Sequence, residues 1–212
     1  MAEQRPTDNG GRGRRRESFA ERRERRAEVD DPAVVLEAAA RFLEVRSRSV
    51  AEVRRRLTTN GYRADLVDGA ITRMTELGML DDDAFARAWV ESRDRSRPRG
   101  ERAIRVELGQ KGVDRAVIDE VLAARRAGGL ALDDPSRPVD PDEPMVSADR
   151  SAAERLLAKH SRSFARVVDP RQRRARAYAL LARNGFDPET CREVAATVGA
   201  TEEPASDGED VE

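Results

Sequence analysis

The sequence predicts an all-α protein made of three consecutive modules, each with three helices. Apolar residues recur at helical spacing in one segment after another, and no run of four to eight residues shows the alternation of a half-buried strand. A pattern of leucine, three residues, glycine and an apolar residue also occurs three times. Of the 212 residues, 38% are hydrophobic, 38% are charged and 4% are aromatic. This composition favours slender helical units with solvated faces over a thick α/β core.

Module 1 is expected at residues 31–80. Asp31 and Pro32 have the residue types of an N-cap and a first helical position. Ser49 with Glu52 three residues later predicts a capping box at the start of the second helix. Helically spaced apolar residues follow each of these signals, so each is expected to begin a helix.

Module 2 is expected at residues 81–127. Three consecutive aspartates from Asp81 precede a helix that carries Phe85 and Trp89, and we expect Asp82 to cap that helix. Gly100 opens the second helix of the module. The first helix is expected to stop before the intervening proline, because proline disfavours helix in the preceding residue.

Module 3 is expected at residues 150–199, after an acidic, proline-containing linker at 128–149. Ser151 with Glu154 is a candidate capping box for its first helix. Two further aspartate–proline pairs precede its second and third helices, which repeats the signal that begins module 1.

The two ends of the chain are expected to be disordered tails. Residues 1–30 contain nine basic and seven acidic residues but few apolar ones, and residues 200–212 contain six acidic residues and no basic ones. Such segments cannot bury enough apolar surface to offset the entropy of the chain.

Three glycines mark the repeat. Gly61, Gly112 and Gly185 each follow a leucine by four residues and precede an apolar residue. The three glycines are separated by 51 and 73 residues, and the excess of 22 equals the length of the 128–149 linker. Self-similarity of this kind indicates a repeat protein whose neighbouring units share contacts.

The residues that catalysis or metal binding would need are scarce. The chain has one histidine, His160, and one cysteine, Cys191, whereas a zinc site uses about four such ligands. The aspartates at 81–83 suit a helix N-terminus, and neither a P-loop nor a dinucleotide-binding glycine motif is present. We expect no catalytic, metal-binding or cofactor-binding site, and no cofactor.

Charge is distributed unevenly, although the net charge is −1. Residues 150–200 carry eleven basic and five acidic residues, which makes module 3 the most basic part of the chain. Exposed arginines can bind phosphate or carboxylate groups, or they can be solvated residues of a helix face. Basic side chains in all three modules are candidate partner-binding residues: Arg54, Arg97, Arg99, Arg102, Arg105, Lys111, Arg171 and Arg174.

A family resemblance is carried by residues 77–90, LGMLDDDAFARAWV. Their leucine, double aspartate and following Phe-Ala resemble the signature of the RecX family. Supporting matches are Arg-Ser-Arg-Ser at 46–49, Gly100 eight residues before a leucine, and Lys-Gly-Val at 111–113, which is similar to the family's Lys-Gly-Ile. The resemblance covers about residues 33–198.

This resemblance implies three tandem three-helix bundles in an elongated, curved molecule. It also implies a molecule that lodges in the groove of the RecA filament on single-stranded DNA and restrains its ATP hydrolysis, strand exchange and co-protease action without catalysis. The expected partner is therefore RecA, with at most weak direct contact to nucleic acid, and the chain is expected to be a monomer. One cysteine, no apolar stretch long enough to span a bilayer and an Arg-rich N-terminus unlike a secretory signal predict a cytoplasmic protein with no membrane contact.

Two other classes of function remain open at this point. Short helices joined by a glycine turn also describe helix-turn-helix nucleic-acid-binding modules. A hydrolase that uses Cys191 or His160 is the third alternative.

Overall fold

The computed structural model describes residues 17–127 and 147–199, and within these ranges every regular element is an α-helix. Helices α2 to α4 form module 1, α5 to α7 form module 2, and α8 to α11 form module 3, while α1 precedes the first module. Their bounds are α1 Phe19–Ala27, α2 Pro32–Leu43, α3 Val50–Thr59, α4 Ala64–Glu76, α5 Asp82–Ser96, α6 Glu101–Gln110, α7 Arg115–Arg126, α8 Ala148–Lys159, α9 Ser161–Ala165, α10 Pro170–Arg183 and α11 Pro188–Gly199. The predicted all-α class is confirmed.

The repeated leucine forms part of a separate apolar core in each module. Leu57, Leu108 and Leu181 are at most 1% exposed, and each belongs to a different cluster of buried residues. Burying one leucine side chain contributes roughly 1.5–3 kcal/mol. Each module therefore gains its own stabilisation.

In each module the repeated glycine follows the helix that carries the repeated leucine, which is α3, α6 or α10. Gly61, Gly112 and Gly185 have φ values of +101°, +77° and +83°, which glycine adopts at little steric cost. In each turn the N–H of the next residue donates to the carbonyl of the repeated leucine, for example Val113 to Leu108 at 3.2 Å. This bond satisfies a carbonyl that would lack a partner at the helix end.

The predicted helix starts are confirmed at most positions. The Ser49–Glu52 capping box forms with both of its hydrogen bonds. Asp31 and Asp169 each cap a helix whose first residue is proline. These signals act within one helical turn, which explains why they can be read from the sequence.

The expectation of a disordered tail at 1–30 is wrong for helix α1. Ser18 and Glu21 form a capping box at its start, and the backbone of Arg23 lies against Gly61 of module 1. The guanidinium of Arg26 stands 5.7 Å from the centre of the Tyr62 ring. None of the helix residues is buried, so α1 lacks the apolar stripe by which a helix is usually found. Residues 1–16 and the predicted tail at 200–212 lie outside the described residues.

The start of module 3 also differs from the expectation. Ser147, and not Ser151, caps α8 by accepting a hydrogen bond from Arg150 N–H at 3.2 Å. Asp149 therefore belongs to the helix and not to the linker, of which residues 128–146 lie outside the described residues. A separate short helix, α9, begins after His160 and carries the buried Phe164.

Candidate partner-binding surfaces

Modules 1 and 2 are joined through the N-terminus of α3 and the glycine turn after α6. The Ser49 hydroxyl accepts from Glu52 N–H at 3.1 Å and donates to the Lys111 carbonyl at 2.6 Å. The Lys111 ammonium lies 2.9 Å from the Glu52 carboxylate. Gly112 packs so closely on Ala51 that an added Cβ would overlap the alanine methyl. The repeated glycine therefore serves the junction between modules as well as the helix end.

Asp82 belongs to this junction and does not cap its own helix, so that expectation is wrong. Asp81 caps α5, with its Oδ1 accepting from the N–H groups of Asp83 at 2.8 Å and Ala84 at 3.0 Å. Asp82 Oδ1 instead accepts from Val50 N–H at 2.9 Å, at the start of α3. Burial raises the pKa of Asp82 above its usual range.

Modules 2 and 3 are joined by the same arrangement. Gly100 N–H donates to the Asn184 carbonyl at 3.0 Å. This bond corresponds to the one that the Ser49 hydroxyl donates to the Lys111 carbonyl at the first junction. Asp149 accepts from Glu101 N–H at 3.2 Å, in the role that Asp82 has for Val50. Gly185 packs against the first turn of α6 with no room for a side chain. The repeat therefore extends to the contacts between modules.

A buried arginine adds a second link between modules 2 and 3. The Arg125 side chain is 1% exposed, and its Nε and Nη2 each bind one carboxylate oxygen of Asp94 at 2.9 Å. Arg125 also pairs with Asp149 of module 3. Burial opposes the charge, but the two carboxylates raise the pKa of Arg125. Burial raises the pKa of Asp149, and Arg125 offsets part of that rise.

Four of the candidate basic residues are held by neighbouring side chains. Arg54 pairs with Asp68, and Arg105 pairs with Asp119 and Glu101. Arg99 donates to the Asn184 side chain at 2.7 Å, and Lys111 is bound to Glu52. Their charges are largely used within the chain.

Arg97 and Arg102 are different, because both are exposed and neither makes an ion pair within residues 17–127 and 147–199. Arg97 follows the last residue of α5, where the chain turns towards α6. Arg102 lies in the first turn of α6 and near enough to Cys191 of module 3 to affect its pKa. Both can therefore reach a partner beside the junction of modules 2 and 3.

Arg171 and Arg174 line a groove between α10 and α11 together with Arg192 and Tyr178. All four side chains are exposed. Arg192 was not among the residues singled out from the sequence, because only the packing of α11 on α10 brings it next to the other two.

Phe85 and Trp89 have structural roles in module 2. Phe85 is 5% exposed and belongs to the core. The indole N–H of Trp89 donates to Glu107 at 2.8 Å, and its ring lies 4.3 Å from the Arg93 guanidinium carbon and 4.9 Å from the Lys111 ammonium. The ring thus joins α5 to α6 and to the glycine turn.

Cys191 and His160 are not brought together as a nucleophile and a base. Cys191 is fully buried, and burial raises the pKa of its thiol. His160 Nδ1 lies 2.9 Å from the Leu156 carbonyl. Within the described ranges, no group of three or more histidine, cysteine or acidic side chains could hold a metal ion, and no helix is long and apolar enough to cross a membrane.

These contacts define a helical repeat protein in which small helical modules are joined in series by the same glycine-turn contact. Comparison with known proteins identifies the family. The chain matches the model of the first three-helix domain of RecX over residues 36–74 and that of the second over residues 81–122. The chain belongs to the RecX family of regulatory proteins, which confirms the resemblance found in the sequence.

Individual relatives agree with this assignment. The regulatory protein RecX of Mycolicibacterium vanbaalenii is 34% identical over 153 residues, which cover 69% of this chain and 72% of the relative. That of Mycobacterium avium is 32% identical over 164 residues, or 77% and 84% of the two chains. The crystal structure of RecX from Lactobacillus salivarius has the same fold, with a TM-score of 0.62, 17% identity and coverage of 80% of this chain and 97% of that one.

Proposed function

We propose that this chain binds the RecA filament on single-stranded DNA and restrains its ATP hydrolysis, strand exchange and co-protease action. Membership of a family of regulatory proteins is the observation that carries the proposal. Modules joined in series offer a long surface, which suits a partner with a helical repeat of its own. Such a partner would place the chain in the cytoplasm.

The proposed action is binding without catalysis. A buried thiol with a raised pKa holds little of the thiolate that a nucleophile needs. The His160 ring forms a hydrogen bond with the Leu156 carbonyl in the last turn of α8. Both observations fit structural roles for these residues.

Arg97 and Arg102 are the proposed contact residues, because they are exposed and have no ion pair among the described residues. Arg105 is left out of the variant that tests this contact, because Arg105→Glu would place a third carboxylate beside Asp119 and Glu101 and destabilise the fold. The double variant R97E/R102E should bind RecA filaments about tenfold more weakly at low salt, a loss of about 1.4 kcal/mol. Its melting temperature should stay within about 2 °C of wild type.

The matched control is R162E/R183E, which changes the same number of charges on exposed arginines of module 3. The measurements are filament binding and the inhibition of RecA's DNA-dependent ATP hydrolysis. Unchanged hydrolysis at saturating wild-type chain would refute the proposed function. Equal binding by R97E/R102E and the control would refute the proposed contact. Binding to single-stranded DNA alone, as tight as binding to filaments, would favour the nucleic-acid-binding alternative.

A further inference from the structure

The groove of module 3 carries positive charge on both sides. It has a volume of about 610 Å³ and is lined by Arg171 and Arg174 of α10 and Arg192 of α11. Tyr178, which is 37% exposed, also lines it. Residues 171, 174 and 178 are spaced by three and four positions, so they share one face of α10. The groove therefore presents three guanidinium groups and one aromatic ring together.

These guanidinium groups have no counter-charge in the described part of the chain. No carboxylate within residues 17–127 and 147–199 forms an ion pair with Arg171, Arg174 or Arg192. In modules 1 and 2, by contrast, arginines such as Arg54 and Arg105 are paired. Clustered like charges repel one another and favour binding of a negatively charged group, and the planar guanidinium binds a carboxylate through two hydrogen bonds.

The chain itself supplies a matching acidic segment. Residues 202–212 hold six acidic residues and no basic ones, and only two residues separate them from the end of α11, which forms one side of the groove. Arg192 lies only about 10 Å along the helix from its last residue, at 1.5 Å per residue. A stretch of thirteen residues spans up to about 45 Å when extended. The acidic side chains can therefore reach all three arginines.

We propose that the acidic segment 202–212 binds in the groove formed by Arg171, Arg174, Tyr178 and Arg192. The covalent link gives the segment an effective concentration of about 1 mM at the groove, so even weak contacts keep the groove occupied. An acidic partner must then displace the segment before it can bind there. This inference does not depend on the proposed binding to RecA.

The test measures binding of a fluorescein-labelled peptide of residues 200–212 by fluorescence anisotropy. One protein is the wild-type chain. The other is the full-length chain with a neutralised segment, which leaves the groove open; its substitutions are E202Q, E203Q, D207N, E209Q, D210N and E212Q. If the peptide has a Kd of about 100 μM, a tethered segment at about 1 mM should weaken its binding to the wild-type chain about tenfold.

Two arginine variants of the neutralised chain locate the site. R171E/R174E/R192E should weaken peptide binding at least about tenfold, and added salt should weaken it further, because exposed charges are screened. The matched control R162E/R166E/R183E reverses three exposed arginines of the same module that do not line the groove, and its affinity should stay within about twofold. Circular dichroism verifies that both variants are folded.

Equal affinity of the peptide for the wild-type and neutralised chains would overturn the proposal. Both chains keep the groove residues unchanged, so this result could not be caused by damage to the groove. Equal losses in the two arginine variants would also overturn it, because they would show attraction to the charge of the module as a whole. If the groove variant loses binding to RecA filaments or DNA while keeping its affinity for the peptide, the groove serves that partner and not the segment.

Discussion

Replacement of Arg125 by methionine tests the buried link between modules 2 and 3. The arginine side chain is 1% exposed and that of Asp94 is 4% exposed, so the variant leaves a buried carboxylate without its cation. Removing one partner of a buried ion pair costs about 3–5 kcal/mol. In a chain of this size 1 kcal/mol corresponds to about 2–4 °C. We therefore expect the melting temperature to fall by roughly 6–20 °C and the urea midpoint to fall with it.

The neighbouring Arg126 provides the matched control. Its side chain is 57% exposed and pairs with Glu101, so Arg126→Met should cost less than about 1 kcal/mol. The double variant R125M/D94L should recover part of the loss, because it removes both charges of the Arg125–Asp94 pair but leaves Asp149 without its cation. Equal stability of the two single variants, or a double variant no more stable than R125M, would refute this reasoning.

Two further predictions concern the glycine turn and the junction between modules 1 and 2. Gly112→Ala should cost at least about 1–2 kcal/mol, because φ is +77° and a methyl group has no space. Gly109→Ala, inside the preceding helix α6, should instead stabilise by about 0.5–1 kcal/mol. Thermal unfolding of both variants checks this, and equal effects would contradict it. Burial opposes ionisation of Glu52, but hydrogen bonds from Lys111 and other donors lower its pKa. The ionised carboxylate therefore stabilises the fold above the unfolded-state pKa of about 4.3, and this stabilisation is lost as the pH falls through the lowered folded-state pKa. Glu52→Gln should therefore destabilise the protein by about 1–2 kcal/mol at pH 7 and by almost nothing near pH 2. The control Glu37→Gln, at a side chain 62% exposed, should change the stability little at either pH. A cost of Glu52→Gln that does not depend on pH would contradict the stabilising role of the Glu52 carboxylate.

The pairing of individual arginines could not be predicted from the sequence. Arg102 and Arg105 are three residues apart in α6, yet Arg102 is exposed without an ion pair among the described residues, and Arg105 binds Asp119 of α7. With 38% of the residues charged, each arginine has many carboxylates with which it could pair. Their distances in space depend on how the helices pack, and the spacing of residues along one helix carries no information about that.

The sequence by itself determined most of the helices and their repeat, because the signals for these are local, but it did not reveal α1 or α9. Ser49 and Glu52 satisfy the backbone of one turn, and the glycine four residues after a buried leucine ends one helix. Only the tertiary structure decided which of the two aspartates, Asp81 or Asp82, caps the helix and which binds the neighbouring module. Asp81 caps its own helix, while the adjacent Asp82 binds a backbone N–H that lies 32 positions away in the sequence. Both aspartates suit a helix N-terminus, but only the packing of module 2 on module 1 brings a second donor within reach of one of them.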